Sequence, residues 1–474
     1  MQSFIPKELR MASTKLEGYT RNSFKIMSQG SDEANPNSII TFTLPEGILA
    51  LRSFQLSCDV LTTAVKLEST TATTSGAGFV YGKMGDVSAS LFSNIEIFIG
   101  GVQISQGTSE YSSICHMLKL VKGNRDFDGS ISNTLHHSNL DSTDSVDDIS
   151  VLWKPQEGFF SSSSASFLPS QLTGVLTVRL TVSGPNVLAI KQGGVPYDSD
   201  LVAVTAVVGN AGANPPVLAV TASTVAEVRA AAAKVTFKLT NIFATIDSIQ
   251  LDGLENMYLD RLSTEPFLPI NYPEFYSYSL TNQSGAFTLK MNQSASSINK
   301  AFVGLRDSNY NEVGIRTRKT EGVSTDSHVP NYFTFKSFNS ETTKRGTMRT
   351  TFSINSVKHP QFDADVLYSA SQLQYMEDKH ELHKTGNMIT SLKHYQSSAA
   401  IFPLCLSMPG TSQEVISGAD SRGSNTSIDF ETKALTMPTA SAASQITANL
   451  TAFAVIETNQ QLRIGGSRQL AIAH

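Results

Sequence analysis

Residues 88–123 read SASLFSNIEIFIGGVQISQGTSEYSSICHMLKLVKG and carry, in order, a strand, a tight turn, a second strand and a helix. Between Asn94 and Ile99, the residues Ile95, Ile97 and Ile99 alternate with Asn94, Glu96 and Phe98, the period-2 signature of a half-buried strand. Gly100-Gly101 supplies the positive φ angles of a two-residue hairpin, so Val102 to Ile104 is expected to return as the partner strand. Thr108 or Ser109 is placed to cap a helix, with Glu110 in the first turn, where the dipole favours an acid. Tyr111, Ile114, Cys115, Leu118 and Val121 follow at helical spacing as one apolar stripe, with Ser112 expected to face away and Gly123 to end the helix. In a β-rich chain such a stripe must be buried against a sheet edge or a neighbouring chain.

The chain has 474 residues, far more than one typical core, which predicts two domains. Charged residues make up only 16 %, well below the roughly 25 % of ordinary soluble domains. A surface kept soluble by Ser, Thr and Asn suits close packing against copies of itself. The net charge of −5 gives no global basic field to draw the chain to nucleic acid. Cys58, Cys115 and Cys405 are odd in number and far apart, which fits neither a disulfide framework nor a zinc site and suggests a reducing compartment. No apolar run approaches a membrane span, and MQSFIPKELR lacks a signal-peptide core, so a soluble protein made in the cytosol is expected.

Residues 1–37 read as a polar, mildly basic arm. Within residues 1–25, Lys7, Arg10, Lys15, Arg21 and Lys25 outnumber Glu8 and Glu17. Strands begin with IITFTLP and ILALRSFQLSCDVL, and a Thr/Ser/Gly segment at 69–78 loops out. After the helix, DFDGSISNTLHHSNLDSTDSVDD holds six aspartates and no Lys or Arg, a long exposed loop. From 174 to 182 the alternation is the cleanest in the chain, Leu176, Val178, Leu180 and Val182 on one side and Thr177, Arg179 and Thr181 on the other. Residues 208–233 are low in complexity, with one helical turn near Ala226; residues 235–254 return to strand.

A second series starts near Asn271: YPEFYSYSL, AFTLKMNQ and KAFVGLRD as strands, a polar excursion at 306–330, and alternation over 350–357. A second helix is expected from about Asp363 to His380 through Val366, Ala370, Leu373 and Glu377, followed by strands in HYQSSAAIFPLCL, SIDFE and ITANLTAFAVIE. Each half thus runs several strands, one helix, a long polar loop and more strands. The chain reads as all-β, built of two sandwiches: a first domain at 38–258 and a second at 259–474.

Three segments carry a family resemblance: FSNIEIFIGGVQISQGTSEYSSICHML, IDSIQLDGLENMYLDRL at the domain junction, and VISGADSRGSNTSIDF with LTAFAVIETNQQLRI near the C-terminus. Together they resemble double jelly-roll major capsid proteins of tailless icosahedral double-stranded-DNA viruses, in the virophage and polinton-like group. The resemblance spans about residues 38–260 and 270–465, by order and spacing more than by identity; the insert at 208–233 has no place in it. It implies two eight-stranded jelly rolls side by side and homotrimers of pseudo-hexagonal outline, packed as neighbouring capsomers into a virion shell with penton and minor capsid proteins. It also implies synthesis in the host cytoplasm and an N-terminal arm beneath the trimer, where an inner membrane, a minor protein or the genome meets its charge.

Catalytic motifs are missing, so neither an enzyme, nor a cofactor, nor a small-molecule substrate is expected. There is no G-x-S-x-G. GAGFVYGK at 76–83 mimics a phosphate loop, but the Gly76–Gly82 spacing is too long and Met84 replaces the Ser/Thr, so it reads as a strand connection. His380 and His383 in HELH miss the zincin spacing, even with His394 near by, and read as exposed histidines. His136-His137 among Asp141, Asp144, Asp147 and Asp148 fit no calcium loop. Cys115 reads as packing and Trp153 as a loop anchor rather than a sugar platform; Arg316, Arg318, Lys319, Lys344, Arg345 and Arg349 read as a solvated rim or subunit contact. Two function classes stay open from residues alone: a structural capsid subunit, and a tandem β-sandwich carbohydrate-binding or adhesion protein gripping sugar through loops such as 126–150. A sandwich glycosidase would need two carboxylates flanking a cleft.

Overall fold

The computed structural model describes residues 20–67, 79–84, 87–105, 110–122, 148–192, 225–250, 254–313, 316–318, 328–339, 346–375, 392–407, 418–422, 427–437, 449–466 and 469–473. Period-2 patterning produces two runs of eight sandwich strands, which alone are numbered. The first run is β1 (Thr20–Met27), β2 (Ile39–Thr43), β3 (Ile48–Thr62), β4 (Phe92–Ile99), β5 (Val102–Ser105), β6 (Asp148–Trp153), β7 (Leu176–Val182) and β8 (Phe237–Gln250). The second is β9 (Phe267–Gln283), β10 (Thr288–Asn292), β11 (Ile298–Asp307), β12 (Arg349–Ile354), β13 (Val357–Ala364), β14 (Ile401–Cys405), β15 (Ser427–Lys433) and β16 (Leu450–Gly465).

In the first half, one sheet has the order β1-β8-β3-β6 and the other β2-β7-β4-β5. In the second half the orders are β9-β16-β11-β14 and β10-β15-β12-β13. Adding eight to every label of the first pair gives the second, so the repeat expected from element order is a repeat of topology. On β7 the side chains of Leu176, Val178, Leu180 and Val182 are fully buried, each stabilising by about 1.5–3 kcal/mol. The hairpin turn after β4 has Gly100 at φ 55° and Gly101 at φ 85°; its counterpart after β12 uses Asn355 at φ 49° and Ser356 at φ 70°. Only glycine fits the first position of the first turn, because a Cβ on Gly100 would lie 2.5 Å from the Thr173 carbonyl oxygen.

Two features tie the halves together. The β9–β16 ribbon is 17 and 16 residues long and paired along its length. One end sends Ala452, Ala454 and Ile456 into the second core; the other sends Leu268, Ile270, Tyr272, Leu462 and Ile464 into the first. The second tie is helix α1 (Tyr111–Lys122).

Several expectations change. Thr20–Met27, assigned to the arm, is the outermost strand of the first sandwich, paired residue for residue with β8 from Thr20↔Gln250 to Met27↔Phe243. Almost all its side chains are exposed, so an edge strand of this kind leaves no apolar alternation in the sequence. Ala34 follows it into the core, exchanging both backbone hydrogen bonds with Leu239 at 2.9 and 2.8 Å. Within the low-complexity insert, Val225–Ala232 forms a full helix, α2, burying Val228 and Ala232 beside a side sheet of strands 188–192, 79–84 and 64–66. The domain junction is helical over Leu254–Thr264 (α3). Helix α4 (Val366–Tyr375) starts later than its pattern, because Asp363 and Ala364 still belong to β13, and residues 376–380 lie outside the described residues. HYQSS, read as strand, lies in helix α5 (Leu392–Ser398), where buried Tyr395 donates to the Ile401 carbonyl at 2.6 Å.

Candidate functional site

The densest constellation of side-chain chemistry lies at the seam between the halves, around α1. Tyr111 and Cys115 of the expected stripe enter the first core. Ile114, Met117, Leu118 and Leu120 enter the second. The helix is therefore covered nearly all round, and Ser112, expected to face away, is fully buried. The second half supplies the polar partners that make this tolerable. Ser112 Oγ lies 2.9 Å from Tyr332 Oη, and Tyr332 donates to Glu110 Oε2 at 2.8 Å. Ser113 Oγ donates to the same oxygen at 2.8 Å.

Arg306, at the end of β11, closes this network with 0 % of its side chain exposed. Its Nη1 donates to Ser113 Oγ at 3.0 Å and to the Tyr332 carbonyl at 3.2 Å, and Nη2 lies 3.8 Å from Glu110 Oε2. The Tyr310 ring sits 3.9 Å from the guanidinium carbon and the Phe453 ring 4.7 Å. A cation taken wholly out of water is tolerable only when paired and hydrogen-bonded, so these contacts offset the cost of burying Arg306 rather than adding much net stability. Burial pushes the Tyr332 phenol well above its usual range, with the Glu110 charge acting the same way, so it stays a neutral donor.

Further along the seam, Tyr272 Oη lies 3.0 Å from the Ile104 carbonyl and 2.9 Å from Gln460 Oε1. Phe159 meets Tyr272 edge-on at 5.4 Å. Ser105 donates to Glu274 at 3.2 Å, and Ser164 and Asn271 exchange two hydrogen bonds of 2.8 and 2.9 Å. Together with α1 and Arg306, these contacts hold one half to the other.

The residues singled out from sequence scatter. Cys58 is buried, its thiol pushed up to about 12 by burial and by Asp59; Cys405 is exposed. Trp153 is buried with Phe92 edge-on at 4.6 Å, an anchor. Phe79–Met84 of the phosphate-loop mimic is a strand, and a Cβ on Gly82 would meet Val235 at 2.4 Å. Arg349 donates to the carbonyls of Gly346 and Met348, while Arg316 and Arg318 fall on a short strand paired with 328–330. His394 falls on α5, and Asp148 begins β6. His136, His137, Asp141, Asp144, Asp147, Lys319, Lys344, Arg345, His380 and His383 lie outside the described residues. Among the described residues no group of three or more His, Cys, Asp or Glu side chains could hold a metal ion, and no helix is long and apolar enough to cross a membrane. An open basin of about 520 Å³ beside Gly100 and Gly174 contains Arg179, but that guanidinium already stacks on Phe98 at 5.2 Å and faces Glu96 at 3.9 Å.

No family model matches the chain, and no curated protein matches it. Solved structures do. The PBCV-1 virus capsid superposes with a TM-score of 0.55 at 12 % identity, covering 96 % of this chain and 97 % of that one. This chain is a double jelly roll. The Faustovirus major capsid protein gives 0.51 at 9 % identity over 97 % and 94 %, and the Sputnik virophage structure 0.50 at 12 % over 96 % and 88 %. The double jelly roll accounts for both strand orders, and the helix α1 follows the fifth strand of the first roll as α4 follows the fifth of the second. Sequence reasoning found α1 but missed Arg306, Tyr310 and Tyr332, because only the fold brings them to Glu110.

Proposed function

We propose that the chain is a viral major capsid protein that self-assembles as pseudo-hexagonal homotrimers, which tile an icosahedral shell around a double-stranded-DNA genome. The observation that carries this reading is the seam: two jelly rolls of one topology are locked side by side by α1, Arg306 and the shared β9–β16 ribbon, as a rigid tile requires. Likeness of fold to capsid proteins over almost the whole chain supports it, as does the low share of charged residues. Such a protein acts by geometry, without catalysis, cofactor or small substrate. Its place is the virion, after synthesis in the host cytoplasm, beside neighbouring capsomers and penton and minor capsid proteins. Sedimentation should give a species three times the 51.1 kDa subunit, and negative-stain micrographs should show hexagonal outlines. A stable monomer at micromolar concentration would refute the reading.

The arm retained in this proposal is residues 1–19. Arg21 and Lys25 leave it, since Arg21 pairs with Asp247 and Lys25 lies 4.0 Å over the Phe243 ring. What remains fastens adjacent trimers, or meets an inner membrane or the genome, with less positive charge than the longer arm offered. Deleting residues 2–19 should leave trimers intact and lower particle yield; normal particle yield would make it a passive tail.

A further inference from the structure

The end of the first jelly roll at which the arm joins the fold also carries an open recess. Arg21, Ile249, Ile48 and Pro169 form one row across the sheet, in register from strand to strand. A single helical turn, Ser170–Thr173, then leads to Gly174 on the rim of the basin of about 520 Å³. At about 4.8 Å per strand and 5.4 Å per helical turn, that rim lies roughly 20 Å from Thr20. The recess exists because glycines surround it. Gly100, Gly101 and Gly174 all line it, and a Cβ on Gly101 would meet nothing within 4 Å. The equivalent turn of the second jelly roll carries the side chains of Asn355 and Ser356 instead. Apolar surface borders the recess, with Val175 41 % exposed and Phe98 half-buried. Beside it stands a loose ion pair, Arg179 and Glu96, 3.9 Å apart and 51 and 31 % exposed.

We infer that the basin receives the chain's own N-terminal segment, with Phe4 and Ile5 seated against Val175 and Phe98. The segment has the matching chemistry: the apolar run Phe4-Ile5-Pro6 is followed by Lys7 and Glu8, opposite in charge to Glu96 and Arg179. It also has the reach. The chain from Ile5 to Thr20 extends to about 50 Å, more than twice the distance to the rim. A basin of this size falls within the roughly 300–1,000 Å³ of pockets that enclose small molecules, which leaves room for two large side chains. Tethering holds the segment at an effective concentration of about millimolar order, so a shallow, open site is enough to retain it. The occupant is the chain's own segment because the tether spans so short a path. The arm of a free subunit is thus stowed against its own first jelly roll, and it leaves that site before it reaches a neighbour. This inference goes beyond the assembly reading and does not depend on it.

Cysteine pairs in the full chain test it. In a Cys405→Ser background, which leaves the buried Cys58 and Cys115, Phe4→Cys with Val175→Cys should form a disulfide within one chain under mild oxidation. Mass spectrometry should show the loss of two hydrogens at the mass of a single chain, with a yield unchanged by dilution. Phe4→Cys with Leu61→Cys, at the far end of β3, should remain unlinked. Trypsin should cut after Lys7 roughly tenfold more slowly in the wild type than in the Phe4→Asp, Ile5→Asp double variant or in Val175→Asp. Circular dichroism should be the same for all three, since Val175 is partly exposed. The absence of a 4–175 link, equal linking at 175 and 61, a link that forms only between chains, or equal cleavage in the three proteins overturns the stowed arm and leaves the assembly reading standing. A wild-type chain that sediments as a monomer, with the 4–175 link forming within one chain, overturns the assembly reading alone.

Discussion

Helices α1 and α4 hold the same place in two sandwiches of the same topology, yet one is enclosed and the other is not. The apolar residues of α1 are shared between two cores, and its hydroxyls bond to Tyr332 and Arg306. On α4, Val366 and Leu373 are buried beneath the helix while Leu367 is largely exposed. The strand order of a jelly roll does not decide this difference. What decides it is whether a second body lies against that side, and within one chain only the first jelly roll has one.

The comparison can be broken at its strongest point first. Arg306→Ala leaves Ser113 and the Tyr332 carbonyl without their donor and Glu110 without its cation, so stability should fall by about 3–5 kcal/mol in denaturant unfolding. Arg306→Lys should recover only part of this, because an ammonium cannot reproduce the two donor directions. A loss below 1 kcal/mol would mean that the network does not hold the seam. Leu118→Ala should cost about 2–5 kcal/mol, whereas Leu367→Ala in the isolated subunit should cost under about 0.5 kcal/mol; equal losses would erase the contrast between the helices. Ser112→Ala should cost about 1 kcal/mol, since it leaves Tyr332 short of one partner.

The smallest effect concerns the clasp on β1. Burial pushes the Asp247 carboxyl up, but hydrogen bonds from Ser23 and Arg21 and the Arg21 charge together hold it below the usual range. A lowered folded value means that the clasp contributes fully above the ordinary carboxylate value of about 3.9. That contribution is lost as pH falls through the folded value. Asp247→Asn should therefore be less stable than wild type at pH 7, by under about 1 kcal/mol for so exposed an arginine, and the gap should close in acid. A gap that persists below pH 2 would mean that the carboxylate charge is not what binds β1.

How far the fold was legible follows from where the information lies. Burial on one face leaves a period-2 or helical mark, so β4, the Gly100-Gly101 turn, α1 and β7 could be read directly. An edge strand buries little, and β1 was invisible for that reason. Ser112 reads as outward-facing because a local stripe cannot show a second cover arriving from 220 residues away. Arg306 and Tyr332 read as ordinary members of a strand and a loop, and only the packing of the two halves gives them a role. The candidate site was thus half legible: its helix was, its partners were not.

The sharing of α1 between two cores also sets a timetable for synthesis. Ile114, Met117 and Leu118 leave the ribosome early, but their companions Phe453 and Ile456 come from the last strand of the second sandwich. At ordinary elongation rates of about 5–20 residues per second, the helix waits roughly 20–60 s for them with its apolar side uncovered. During that interval the nascent first half carries uncovered apolar surface of the kind that makes folding intermediates prone to aggregate. Copies made side by side on one message have that long to trap each other before each chain can close on itself.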